Sequence, residues 1–245
     1  MFADLTGFTQ WSASRDPTQV FTLLEVLYHS FDTIAKRRKV FKVETVGDCY
    51  VAVAGVPTAH KDHATAMACF ANKCLIQSQQ ICNALEAVLG HGTADLGFRV
   101  GLHSGPVTAG VLRGDKGRFQ LFGDTVNTTA RIETSGERNK IHCSEETANL
   151  LRKAGHGNWL IPRNEKVHAK GKGLLKTYFI RVFVGSDVMT STHRSDNDST
   201  TMSEDLNDDS GWGNSEHNND NTNRQQQQEM PTEITRVDAL GNIIR

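Results

Sequence analysis

Helical and strand-like periods of hydrophobic residues alternate through the first part of the chain. After a helix-start signal at Asp16-Pro17, apolar residues recur every three or four positions up to the cationic run 36–39, which predicts a helix. Residues 40–46 then alternate between apolar and polar, and residues 49–54 form another β-like run. Because Gly47-Asp48 separates the two runs, the pattern predicts a β-hairpin with this pair at its tip.

The rest of residues 1–184 continues this alternation. A long amphipathic helix is predicted over 62–89, a strand over 97–103, and a further helix from Gly123-Asp124 to about 133. The shorter elements predicted are strands at 107–112, 119–122, 141–143, 166–167 and 177–182, and a helix from Ser144. With a first strand that ends at Asp4, the order is β-α-β-β-α-β, which is that of a ferredoxin-like core. We therefore predict an α+β domain over residues 1–184, with C-terminal β/α additions.

Residues 185–245 have a different composition. Ser, Asn, Asp, Thr and Gln dominate, so little apolar surface is available to offset the entropy of ordering, and we predict a disordered tail. This tail holds 4 Lys and Arg against 12 Asp and Glu, whereas residues 1–184 hold 23 against 16. The basic part either suits a polyanionic ligand or is ordinary surface. Hydrophobic residues return over 234–244, a stretch that either docks onto a partner or is a solvated end.

Composition also indicates a reducing compartment. No two of the five cysteines form a CxxC pair, and none lies at zinc-ligand spacing from a histidine. The longest apolar stretch, 50–56, is far shorter than the roughly 20 residues that span a bilayer, and no secretory signal opens the chain. We expect a cytoplasmic protein with no nucleic-acid partner. A strand that reaches Asp4 after three residues looks truncated, so any membrane attachment is expected from missing upstream sequence.

Two aspartates are candidates for a metal site. Asp4 ends the first strand and Asp48 occupies the hairpin tip; the two elements are neighbours in this topology, so both carboxylates reach one point. Hard oxygen ligands beside a phosphate site favour Mg²⁺ or Mn²⁺. In the turn that follows Asp4, Gly7 allows close approach of the backbone, and a helix start favours phosphate oxygens. Taken alone, an aspartate before a glycine turn is a common structural feature.

Two further segments carry polar groups that suit a nucleotide. Asn127 and Arg131 are four residues apart on a predicted helix and share one face, where an amide and a guanidinium suit a ribose and a phosphate. Taken alone, they are equally a solvated polar stripe. Lys170 and Lys172, flanked by glycines, either embrace a triphosphate or form a surface turn.

Five motifs together resemble one family. They are residues 2–9 (FADLTGFT), 42–48 (KVETVGD), 101–110 (GLHSGPVTAG), 122–127 (FGDTVN) and 170–173 (KGKG). In this order, over residues 1 to about 183, they resemble the catalytic domain of class III adenylyl and guanylyl cyclases. The resemblance implies cyclisation of a nucleoside triphosphate with release of pyrophosphate, in a domain that uses two metal ions.

The resemblance also implies a role for each candidate residue. Asp4 and Asp48 would hold two Mg²⁺ or Mn²⁺ ions, assisted by the carbonyl of Leu5. The backbone groups that would bind phosphates belong to Gly7, Phe8 and Thr9. Three further residues would act on the reacting groups. Arg131 would stabilise charge at the α-phosphate, and Asn127 would orient the ribose. Lys170 would neutralise the terminal phosphates.

A homodimer is the expected assembly. Family members bind each nucleotide between two chains, with the metal aspartates from one and the base and transition-state residues from the other. Because this chain carries both sets, the resemblance implies a homodimer with two shared sites.

Glu44 and Gln120 bear on the choice of base. Glu44 matches a family position that is commonly Glu in guanylyl and Lys in adenylyl cyclases; a carboxylate accepts from the N1–H and N2–H₂ of guanine, whereas adenine N1 is an acceptor. Gln120 stands where guanylyl cyclases often have Cys and adenylyl cyclases often have Asp, and its amide suits either base. GTP is therefore the expected substrate. The alternatives are an ATP-cyclising enzyme and a catalytically silent cyclase-homology module that dimerises or regulates a partner.

Overall fold

The computed structural model describes residues 1–112, 117–169, 173–184, 235–237 and 243–244. Its elements are β1 (Phe2–Thr6), α1 (Phe8–Ser12), α2 (Pro17–Arg38), β2 (Phe41–Val46), β3 (Cys49–Val53), α3 (His63–Leu89), β4 (Gly97–Leu102), β5 (Val107–Leu112), β6 (Arg118–Phe122), α4 (Asp124–Thr134), β7 (Ile141–Ser144), α5 (Glu145–Lys153), a 3₁₀ turn (Gly157–Trp159), β8 (Leu160–Pro162), β9 (Val167–Ala169), β10 (Gly173–Leu175), β11 (Thr177–Ile180), β12 (Thr235–Val237) and β13 (Ile243–Ile244). Within these ranges, no helix combines the length and the apolar character needed to cross a bilayer.

The main sheet has seven strands in the order β2-β3-β1-β4-β7-β11-β8. Its first four strands pair antiparallel and are connected as β-α-β-β-α-β, which confirms the predicted ferredoxin-like core. β7 joins β4 in parallel, and β11 and β8 extend the sheet, as the predicted additions require. Two details differ from the prediction: α1 is a separate short helix ahead of α2, and Asp4 lies in the middle of β1 rather than at its end.

Helix α2 is fixed against the hairpin β2–β3 by buried aromatic rings. The helix starts with a capping box between Asp16 and Gln19. Between the helix and the hairpin, the ring centre of Tyr50 on β3 lies 5.4 Å from that of Phe31 on α2 and 6.2 Å from that of Phe70 on α3. All three rings are fully buried. Because buried rings pack in few arrangements, this cluster sets where α2 lies over the hairpin.

Helix α4 crosses the opposite face of the sheet at Gly101 on β4. A Cβ atom at Gly101 would clash with the backbone nitrogen of Glu133, so a larger residue would displace the helix. Buried positions of α4 are Thr125, Thr128, Thr129, Ile132 and Glu133. The close approach therefore holds the Glu133 end of α4 directly over β4.

A second sheet has the order β13-β12-β5-β6. β12 pairs antiparallel with β5, with Thr235 opposite Ala109 and Val237 opposite Val107. Strands β12 and β13 lie where hydrophobic residues return within the predicted disordered tail over 185–245, and the rest of that tail lies outside the described residues. The predicted phosphate ligand Lys170 lies outside the described residues.

A buried histidine makes the stability of the fold dependent on pH. His142 on β7 is 0% exposed; its Nδ1 bonds to the Ile132 carbonyl at 2.7 Å, and its Nε2 has no partner in the described ranges. Burial lowers the pKa of His142 from 6.5 to about 4, and Arg163 acts in the same direction. Between these pH values the unfolded chain takes up a proton that the folded chain does not. The free energy of unfolding is therefore highest above pH 6.5 and decreases toward pH 4, by up to about 3 kcal/mol.

We expect His142→Gln to flatten this acid-side loss of stability, although the variant starts from a lower free energy of unfolding. Urea unfolding at about pH 7.5 and about pH 5 measures the difference for each protein. His91→Gln is the matched control, because the His91 side chain is 98% exposed. If His142→Gln loses as much stability on acidification as the unsubstituted chain, His142 is not the responsible group.

Candidate active site

Asp4 and Asp48 lie side by side on neighbouring elements. Asp4 stands opposite Cys49 in the β1–β3 register, and Asp48 directly precedes Cys49 in the two-residue turn between β2 and β3. Gly47, the other turn residue, has a φ of 61°, a value that favours glycine. The structure thus brings together the two carboxylates that the topology predicted to meet.

These carboxylates form a site with excess negative charge. Burial raises the pKa of Asp4 from 3.8 to about 6, and the charges of Asp48 and Glu133 add to the shift while Arg99 opposes it. Burial and the same carboxylates raise the pKa of the Cys49 thiol to about 12 and that of the Tyr28 phenol above its usual value, so both groups stay protonated. A divalent cation would compensate this charge.

The donor atoms present suit Mg²⁺ or Mn²⁺. The described part of the chain has no cluster of three or more His, Cys, Asp or Glu side chains that could hold a metal. The predicted set, two carboxylates and the backbone carbonyl of Leu5, consists of hard oxygen atoms. A site with so few protein ligands leaves coordination positions for substrate phosphates, as magnesium sites commonly do.

The predicted phosphate-binding turn follows β1 directly. Gly7 has a φ of 88° and precedes α1, so the turn reverses the chain two residues after Leu5. Gly7 and Thr9 are exposed, and Phe8 is half-buried with its ring stacked on Trp11 at 6.2 Å. The first backbone N–H groups of a helix have no partner within the helix, and α1 begins four residues after Asp4 in the chain.

Arg99 is a site residue that sequence analysis missed. It stands opposite Asp4 in the β1–β4 register, and its guanidinium donates to Asp4 Oδ2 at 3.2 Å and to Glu133 Oε1 at 2.5 Å. Arg99 therefore links the first strand to the end of α4. The signal available in the sequence was an arginine inside an otherwise apolar strand, but only the register reveals its partners.

Asn127 and Arg131 are not brought to the aspartates of the same chain. Asn127 is exposed and Arg131 is half-buried on α4. At about 100° per residue, Arg131 and Glu133 are separated by about 200° around the helix. Since Glu133 contacts Arg99 beside Asp4, the face that carries Asn127 and Arg131 is directed elsewhere.

A β-bulge directs Glu44 toward the side of the sheet that faces β6. In the β2–β3 pairing, Lys42 stands opposite Ala52 and Glu44 opposite Val51, so the register shifts between them. Without the extra residue, the side chain of Glu44 would lie on the other face. The half-buried Gln120 lies on β6, whose neighbouring Phe119 contacts Phe41 of β2 with ring centres 4.9 Å apart. The strands that carry Glu44 and Gln120 are thereby held next to each other.

A ferredoxin-like sheet with a carboxylate pair beside a glycine turn defines the class of protein as a nucleotidyl cyclase catalytic domain. Comparison with known proteins gives the same class. The family described as the adenylate and guanylate cyclase catalytic domain matches residues 1–182, and the chain belongs to that family. Members of the family are generally metal-dependent.

Similar proteins include a receptor-type guanylate cyclase, gcy-28 of Caenorhabditis elegans, which is 39% identical over 181 residues. The match covers 74% of this chain and 14% of that relative, so the chain spans about a seventh of the relative's length. The guanylate cyclase domain of RhGC from Catenaria anguillulae, solved in complex with GTP, is 34% identical, with a TM-score of 0.63 and coverage of 74% and 93% of the two chains. The catalytic core of a rhodopsin-guanylyl cyclase with converted specificity, solved with ATPαS, has 34% identity, a TM-score of 0.65 and the same coverage.

Proposed function

We propose that this domain converts GTP to 3′,5′-cyclic GMP and pyrophosphate and so acts in cyclic-nucleotide signalling. The observation that carries the proposal is the convergence of Asp4 and Asp48 beside the turn at Gly7. Two carboxylates whose charge is only partly compensated by Arg99, with a helix start four residues after Asp4, suit a metal-bound triphosphate. In the reaction, the ribose 3′-oxygen forms a bond to the α-phosphorus, and the bond from that phosphorus to pyrophosphate breaks.

The chain's own residues divide this task. Asp4, Asp48 and the Leu5 carbonyl would hold two Mg²⁺ or Mn²⁺ ions, whose charge would favour loss of the 3′-OH proton and departure of pyrophosphate. The backbone of Gly7, Phe8 and Thr9 holds phosphate oxygens. The remaining residues act on the reacting groups: Asn127 orients the ribose, Arg131 stabilises charge that develops at the α-phosphate, and Lys170 neutralises the terminal phosphates.

The site is proposed to form between two copies of the chain. Asp4 and Arg131 are directed to different sides of one chain, so a single chain lacks a complete set of groups around one nucleotide. A homodimer in which each site takes the aspartates of one chain and the α4 residues of its partner completes both sites.

Guanine is the proposed base because of Glu44. On β2, the bulge directs this carboxylate toward the side of β6 and Gln120, where it would accept from guanine N1–H and N2–H₂. Gln120 also favours a second candidate, cyclisation of ATP, since its amide oxygen would accept from adenine N6. A related rhodopsin-guanylyl cyclase core with converted specificity has been solved in complex with ATPαS.

Substitution of the base-contacting pair tests this assignment. We expect Glu44→Lys combined with Gln120→Asp to shift the ratio of kcat/KM for GTP over ATP by at least about tenfold toward ATP, because donors and acceptors then match adenine. Product formation from each nucleotide with Mn²⁺ and with Mg²⁺ measures the ratio. Glu25→Lys is the control for the charge reversal at Glu44, since Glu25 is exposed on α2. A GTP preference that persists in the double variant would refute base selection by Glu44.

A further inference from the structure

Two side chains of α2 contact the hairpin that carries Asp48 and Glu44. Tyr28 and Asp32 are four residues apart and share one face of the helix, directed at β2 and β3. Neither residue belongs to the ligand or base sets assigned above. Tyr28 contacts the turn at Gly47, whereas Asp32 contacts Lys42 on β2 and Tyr50 on β3.

Tyr28 holds the tip of the hairpin. Its hydroxyl donates to the carbonyl of Gly47 at 3.3 Å, and Gly47 directly precedes Asp48. Its ring centre lies 5.6 Å from that of Tyr50 and 6.5 Å from that of Phe31, so buried rings orient the phenol. Gly47 has a positive φ in a two-residue hairpin turn, and this hydrogen bond ties the turn directly to α2.

Asp32 holds the two strands on either side of this turn. Its carboxylate accepts from Lys42 Nζ and from Tyr50 Oη, each at 2.8 Å. The Lys42 ammonium also lies 5.4 Å from the centre of the Tyr50 ring. Lys42 is the last regularly paired residue before the bulge that directs Glu44, so the Asp32 contacts fix the strand at the point where its register shifts.

We propose that Tyr28 positions the metal-binding carboxylate of Asp48 and that Asp32, through Lys42 and Tyr50, positions the base-recognising carboxylate of Glu44. Both are positioning residues, since they act through the hairpin and touch neither metal nor nucleotide. In the proposed homodimer, α2 of one chain thereby anchors the metal end of one substrate site and the base end of the other. This inference rests on the proposed function, because it takes Asp48 and Glu44 in the roles given above.

Tyr28→Phe tests the metal end. Loss of one hydrogen bond behind a ligand is expected to raise the dissociation constant of Mn²⁺ about fivefold or more, measured without nucleotide from the electron paramagnetic resonance signal of free Mn²⁺. The preference for GTP over ATP should not change. Tyr178→Phe makes the same chemical change on β11, where the ring packs against Arg152, and should leave Mn²⁺ affinity unaltered.

Asp32→Asn tests the base end. An amide keeps the size of the side chain but cannot accept fully from both Lys42 and Tyr50, so the strand loosens next to Glu44. We expect the preference for the α,β-methylene analogue of GTP over that of ATP, measured by calorimetric titration, to decrease about threefold or more. Mn²⁺ affinity should stay within the error of the unsubstituted chain.

The two variants are expected to have opposite effects: Tyr28→Phe lowers Mn²⁺ affinity alone, and Asp32→Asn lowers the base preference alone. If both variants lower Mn²⁺ affinity and base preference together, in parallel with a lower melting temperature, α2 has only a structural role and the proposal is overturned. Unchanged Mn²⁺ affinity in Tyr28→Phe likewise overturns the metal half. Both tests measure binding and do not require turnover. If the unsubstituted chain forms no cyclic product, that result counts against the proposed function, while the roles of Tyr28 and Asp32 can still be tested.

Discussion

Asp48→Ala is expected to reduce formation of cyclic GMP by about 10³-fold or more. A metal ion contributes several kcal/mol of transition-state stabilisation, and this substitution removes one of the two carboxylates proposed to hold it. Asp48 lies in a two-residue turn outside the aromatic core formed by Tyr50, Phe31 and Phe70, so folding should be retained. Chromatographic quantification of product with saturating GTP and Mn²⁺ measures the loss.

Asp62→Ala provides the matched control for this substitution. Asp62 is an exposed aspartate next to the start of α3, where its side chain makes no capping hydrogen bond. Circular dichroism melting should give similar midpoints for both variants, while only Asp48→Ala loses Mn²⁺ binding. Retention of a tenth or more of the original activity in a folded Asp48→Ala dimer is incompatible with a metal role for this residue.

The ferredoxin-like core could be predicted because its determinants are local. Hydrophobic periods, the proline and cap at the start of α2, and Gly47-Asp48 between two β-like runs each act within a few residues. Once the order of elements is known, few topologies are open, and the meeting of Asp4 and Asp48 follows from the one adopted. The carboxylate pair could therefore be predicted from the sequence alone.

Register and close packing were not accessible in this way. The bulge between Lys42 and Glu44 shifts side chains to the other face, and it is defined by the pairing of β2 with β3. The ion pairs of Arg99 depend on its position opposite Asp4 and on the approach of α4 to Gly101, which joins residues far apart in the chain. Such features arise from tertiary pairing, and no periodicity in a single sequence records them.

The position of α4 carries a consequence for assembly. Arg99 links Asp4 to Glu133, which fixes how α4 is rotated over β4. That rotation turns Arg131 away from the aspartates of its own chain, even though both groups must act on one α-phosphate in the proposed reaction. A chain that lacks Asp48 should then still supply Arg131, and a chain that lacks Arg131 should still supply Asp48.

We therefore expect two inactive variants to restore activity when they are combined. Asp48→Ala chains supply Arg131, and Arg131→Ala chains supply Asp48, so each heterodimer has one complete site and one that lacks both groups. After equal amounts are mixed and allowed to exchange subunits, half of the dimers are heterodimers, and the expected activity is about a quarter of the original. Cyclic GMP formation is followed during exchange, and each variant mixed with itself is the control. A folded, dimeric mixture that stays inactive would show that one chain supplies both groups to the same site.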